Sequence, residues 1–163
     1  MRSELGKECR KLFRKVMVTE FPEYSEDRSQ AVPQGWYVWT YRHSEALFFF
    51  IVLVIDSEGD QFTIEGGWSH DGKVLYSLSD VRDILSAPSY VRVAELWTGQ
   101  DYWWPLVLRP GEYENAIFYK DDPVEQCLPL VAPAVWDAAE KLKEHLVPMF
   151  EKVVQASANT SRQ

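Results

Sequence analysis

The chain has 163 residues, with 17 Lys and Arg against 25 Asp and Glu and a formal charge of −8. That length suits one domain able to bury roughly two-thirds of its unfolded surface without disulfides or metals. An apolar fraction of 46% excludes wholesale disorder, and the acidic balance argues against a general nucleic-acid binder, which needs a basic footprint.

Residues 3–20 read as a helix. Leu5, Cys9, Leu12 and Val16 recur at helical spacing, and Phe13 and Met17 widen the apolar stripe. Pro22 ends it, because proline disfavours helical geometry in the residue before it. Lys7, Arg10, Lys11, Arg14 and Lys15 occupy the opposite face. Residues 1–20 therefore carry +3, leaving −11 for the rest of the chain. This basic face is expected to be solvated or to pair with acidic groups elsewhere in the fold. Nothing after Met1 reads as a secretory signal. Residues 23–35 are polar and aperiodic, which predicts a mobile loop.

Three strands follow, at Trp36–His43, Leu47–Ile55 and Gln61–Trp68. The second is continuously apolar, as befits a central strand buried on both faces. In the third, Phe62, Ile64 and Trp68 take one side, with Thr63 and Glu65 on the other. The connections are short, so the strands are expected to form an antiparallel meander. Gly66-Gly67 predicts a bulge or a close backbone approach. Residues 79–85 are expected to form a short helix and residues 91–97 a further strand. The segment from Val135 to Val153 reads as helical. Val135, Ala138, Leu142, Leu146, Met149 and Val153 make its stripe, Trp136 and Ala139 lie beside it, and Pro148 kinks it near Leu146. The expected class is thus α+β: a single domain over residues 1–155, with an antiparallel sheet of four or more strands, terminal helices packed on it, and a frayed tail at 156–163. The longest apolar run, ten residues at 46–55, falls short of the roughly 20 needed to span a bilayer. A cytoplasmic protein with reduced thiols is expected.

Chemistry-bearing motifs are scarce. Three histidines, His43, His70 and His145, show no ligand spacing, and Cys9 and Cys127 are far apart. Neither a nucleophile elbow nor a phosphate-binding glycine loop occurs. Glu65, next to Gly66-Gly67, is the best isolated candidate for a general base, although its spacing predicts a solvent-facing strand residue. No catalytic residue, metal or cofactor is assigned.

Seven tryptophans are the unusual feature. In an extended Trp103-Trp104 pair the two rings point to opposite sides, so one tends toward solvent. Asp101, Tyr102, Trp103 and Trp104, with Glu112 and Glu114, would form an aromatic–acidic patch. Aromatic rings anchor interfaces, and acidic neighbours complement a basic partner.

The leading helix, the aromatic meander, the Tyr102-Trp103-Trp104-Pro105 segment and the Leu146-Val147-Pro148-Met149-Phe150 helix end resemble a bacterial family of uncharacterised α+β domains. Its members are found near polymorphic-toxin and defence loci, where small acidic proteins serve as immunity factors. The resemblance implies an interaction protein and supplies no catalytic residues. The leading expectation is a non-enzymatic, immunity-type inhibitor that occludes the active surface of a basic protein partner, a toxin. A sugar- or base-binding module that uses exposed tryptophans is the alternative, and a metal or acid–base hydrolase is the third. Neither a membrane nor a nucleic acid is expected as partner.

Overall fold

The uninterrupted Leu47–Ile55 run sets the architecture. In the computed structural model, which describes residues 3–74, 88–108 and 122–162, it forms β3 (Leu47–Ile55), with every residue but Phe48 buried. Around it run β1 (Ser25–Glu26), β2 (Trp36–Ser44), β4 (Gln61–Ser69) and β5 (Ser89–Arg92), in the order β1-β2-β3-β4-β5. All neighbours are antiparallel, and the two-residue β6 (Trp104–Pro105) adds to the start of β4. The sheet is therefore a meander with β3 at its centre. Short turns explain the order. Between β3 and β4, for example, the Asp56 carboxylate accepts from the Gly59 and Asp60 amides at 2.7 and 3.2 Å.

One face of the sheet carries Trp39, Phe49, Ile51, Leu53, Phe62, Ile64 and Trp68, which form the main core with the helices. The first helix, α1 (Ser3–Glu20), contributes Leu5, Cys9, Phe13, Val16 and Met17, all buried. The other sheet face carries a smaller cluster of Val38, Phe50, Val52, Val54, Val74 and Tyr90. The basic face of α1 is anchored as well as solvated. Arg14 bonds both oxygens of Glu26, at 2.9 and 3.0 Å, and Arg10 adds a third contact at 3.0 Å while lying over the Tyr37 ring.

Several expectations need correction. The 23–35 segment is tied down: it supplies β1, and Asp27 accepts from the Ser29 amide, Gln30 Nε2 and Thr40 Oγ1. The strand expected over 91–97 stops at Arg92 and gives way to α2 (Glu95–Thr98), closed by Gly99 at φ 71°. Gly66-Gly67 makes a close approach and no bulge, since the β3–β4 register runs unbroken through both. The bulge lies at His43, between the Arg42 and Ser44 pairings. The helix expected at 79–85 lies outside the described residues.

The C-terminal helix begins earlier than its apolar stripe suggested. α3 (Val124–Lys141) holds Pro129 and Pro133 inside it, both on the exposed side, where the carbonyls they leave unbonded can meet water. A π-helical turn, Leu142–Leu146, precedes α4 (Val147–Ser161). Pro148 lacks the N–H that Glu144 would otherwise receive, and the wider turn moves the Val147 N–H onto the Leu142 carbonyl. α4 stays helical to Ser161, so the tail expected to fray from 156 continues the helix. Among the described residues no helix is long and apolar enough to cross a membrane.

Candidate interaction face

Trp103 precedes β6 and Trp104 opens it, and the two rings pack on different clusters, one on each side of the sheet. Trp104 turns inward and is 2% exposed. Its ring stacks on Phe62 with centroids 5.5 Å apart, and its Nε1 donates to Asp137 Oδ2 at 2.8 Å. Trp103 takes the opposite face, half-buried against the smaller sheet cluster, and its Nε1 donates to Asp101 Oδ2 at 3.0 Å. The more open ring is that of Tyr102, 39% exposed. It meets Trp97 and Trp104 edge to face at 5.8 and 5.0 Å, while its carbonyl accepts from Thr63 Oγ1 at 2.8 Å. Trp97 is held in turn by His145, stacked at 6.0 Å, and by Lys141 Nζ, 4.9 Å above its ring. Leu108, four residues beyond Trp104, is also exposed.

The acidic half of the expected patch is arranged differently. Asp101 is exposed but not free, because Arg92 pairs with it and Trp103 bonds it. Arg92 also reaches Glu65 Oε1 at 3.2 Å, so one guanidinium joins an interior carboxylate to a surface one. Glu112 and Glu114 lie outside the described residues. Asp101, Tyr102, Trp103 and Trp104 are therefore brought together by one extended segment, with Trp104 as its root in the core.

Glu65 corrects the expectation of a solvent-facing strand residue, being 2% exposed. Burial raises its carboxyl above the ordinary range. The Tyr90 hydroxyl and the Arg92 guanidinium beside it oppose that rise. The neighbouring glycines do not open a path to it. A Cβ at Gly66 would meet Leu146 Cδ2 at 2.6 Å, and one at Gly67 would meet the Ser89 carbonyl oxygen at 2.2 Å. The space left by those hydrogens is filled by the protein itself. Sequence spacing assigned Glu65 to the polar side of β4 but carried no sign that this side is covered too.

The other chemistry-bearing groups are dispersed. His43 packs on Tyr41 and Phe49 at the end of β2, whereas His70, past β4, packs on Trp68 and contacts the Ala46 carbonyl. Cys9 and Cys127 are both buried, and burial pushes the Cys9 thiol up to about 12. Among the described residues no three His, Cys, Asp or Glu side chains are grouped to hold a metal ion. Trp136, beside the apolar stripe, stands 44% exposed on α3. No protein-family profile, no curated protein and no solved structure matches the chain.

Proposed function

We propose that this chain is a non-enzymatic binding protein whose Tyr102 face seats on a basic protein, in the manner of an immunity-type inhibitor that covers a toxin's active surface. The observation that carries the reading is the Tyr102 ring: open to solvent, yet held edge-on by Trp97 and Trp104. An aromatic anchor already fixed in place loses little conformational freedom on binding, which is how hot-spot rings contribute affinity. The formal charge of −8 supplies the second ingredient, since net charge raises the encounter rate with a partner of opposite sign. Asp101, held by Arg92 and Trp103, then serves as a polar rim beside the ring.

Affinity purification from the native host, followed by mass spectrometry, tests the reading. One basic protein recovered in equimolar amount, and lost with Tyr102→Ala, supports it. A copurifying small molecule with no protein partner would favour a ligand-binding module instead.

A further inference from the structure

A second surface lies away from the Tyr102 face, between the His43 end of β2 and α4. There the residues after α1 and the Val147, Phe150 and Val154 side of α4 line a groove of about 380 Å³. Its floor and walls are aromatic. Tyr24 and Tyr41 sit 5.5 Å apart, Tyr41 stacks on Phe49 at 6.4 Å, and Phe49 meets Phe150 at 4.4 Å. Val147 and Val154 complete the apolar lining, and Glu23, Glu151 and Gln155 stand at its polar margin. His43, the bulged residue of β2, closes one side and contacts the Tyr41 hydroxyl at 3.4 Å. Neither lysine nor arginine is among the lining residues.

We propose that this groove binds a small organic cation, a substituted ammonium with an apolar body. Three arguments select that class. Aromatic faces are the negative side of the ring quadrupole and attract a cation placed over them. Glu23 and Glu151 are exposed carboxylates that share the groove lining with no lysine or arginine, so a positive ligand neutralises them where an anion would be repelled. A wholly apolar ligand would cover these carboxylates without offering them a partner, which is costly. The volume lies within the range of small-molecule sites rather than of a protein docking surface. Burial, and then the Glu23 charge, hold the Tyr24 phenol well above its ordinary range. This site is independent of the Tyr102 face, so either proposal can fail alone.

The test is amide NMR titration of the full chain with choline and with its neutral carbon isostere, 3,3-dimethylbutan-1-ol. The proposal expects saturable shifts at Glu23, Tyr24, His43 and Glu151 with choline, at least about tenfold tighter than with the alcohol. The Glu23→Gln and Glu151→Gln double variant, altered only at exposed positions, should weaken choline binding by about fivefold or more and leave the alcohol unaffected. Tyr24→Leu should weaken choline binding by a similar factor, through loss of the ring face. Equal affinity for the two probes overturns the proposal. So do shifts that map elsewhere, or no saturation up to about 50 mM, where affinity is negligible.

Discussion

Removing Arg92 tests the polar link between the interior and the Tyr102 face. In Arg92→Met the Glu65 carboxylate, 2% exposed, loses the guanidinium at 3.2 Å, and Asp101 loses its cation. Breaking a fully buried pair from one side costs roughly 3–5 kcal/mol. The Arg92 side chain keeps 30% of its exposure, so water reaches part of the site, and the lower end, about 3 kcal/mol at pH 7, is expected. For a chain of this length that is a fall of roughly 6–12 °C in melting temperature. The pH dependence has a definite sign. The Glu65 pKa is raised in the folded state, so ionising it penalises folding as pH climbs from the ordinary carboxylate range through the raised value. Loss of Arg92 enlarges that penalty. The deficit of Arg92→Met should therefore be largest at neutral pH and shrink near pH 4.5, provided the rest of the acid response is matched in the parent. Glu65→Gln in the same background should restore about half of the loss, because a neutral amide needs no counterion. Urea unfolding of the four members of this cycle at both pH values is the assay. A deficit independent of pH, or strictly additive single variants, would refute the electrostatic account of this link.

Gly67→Ala should destabilise far more than Gly66→Ala. The first drives a methyl into the β5 backbone, whereas the second meets the movable end of Leu146, and thermal melts compare the two. Phe50→Ala, at a buried position of the central strand, should cost about 3–5 kcal/mol in urea unfolding. At Glu26, burial is outweighed by the hydrogen bonds from Arg14 and Arg10, which hold its carboxyl below the ordinary range. Its contribution is thus complete above that range and is lost as pH falls through the lowered value. Glu26→Gln should accordingly flatten part of the acid limb of the stability curve.

How far these elements could be read without coordinates depended on where their determinants lie. The helix over 3–20 and the three meander strands carry their own periodicity, and each formed within a residue of expectation. The apolar stripe from Val135 leaves out the turns back to Val124, which hold Pro129 and Pro133. Both fall on the one side where the missing bonds are offset by solvent. The 91–97 segment misled. Val91 and Val93 favour a strand, but the chain turns at Val93-Ala94 into α2. In the interaction face, the opposite orientation of Trp103 and Trp104 followed from local alternation. The partners that decide which groups remain free did not. Asp101 is engaged by Arg92, nine residues away, Trp104 by Asp137, 33 residues away, and Glu65 is covered from beyond its own strand. Those facts depend on tertiary contacts, and no window of sequence contains them.

The central claim, that a fixed aromatic ring anchors a basic partner, is tested most directly by surface binding kinetics with the copurified protein at two salt concentrations. The account predicts that Tyr102→Ala raises the off-rate about 30-fold, equivalent to about 2 kcal/mol, while the on-rate stays within about threefold of the parent. It also predicts that the parent on-rate falls as salt is raised. An unchanged off-rate for Tyr102→Ala, with partner binding intact, would contradict it and remove this face as the interface.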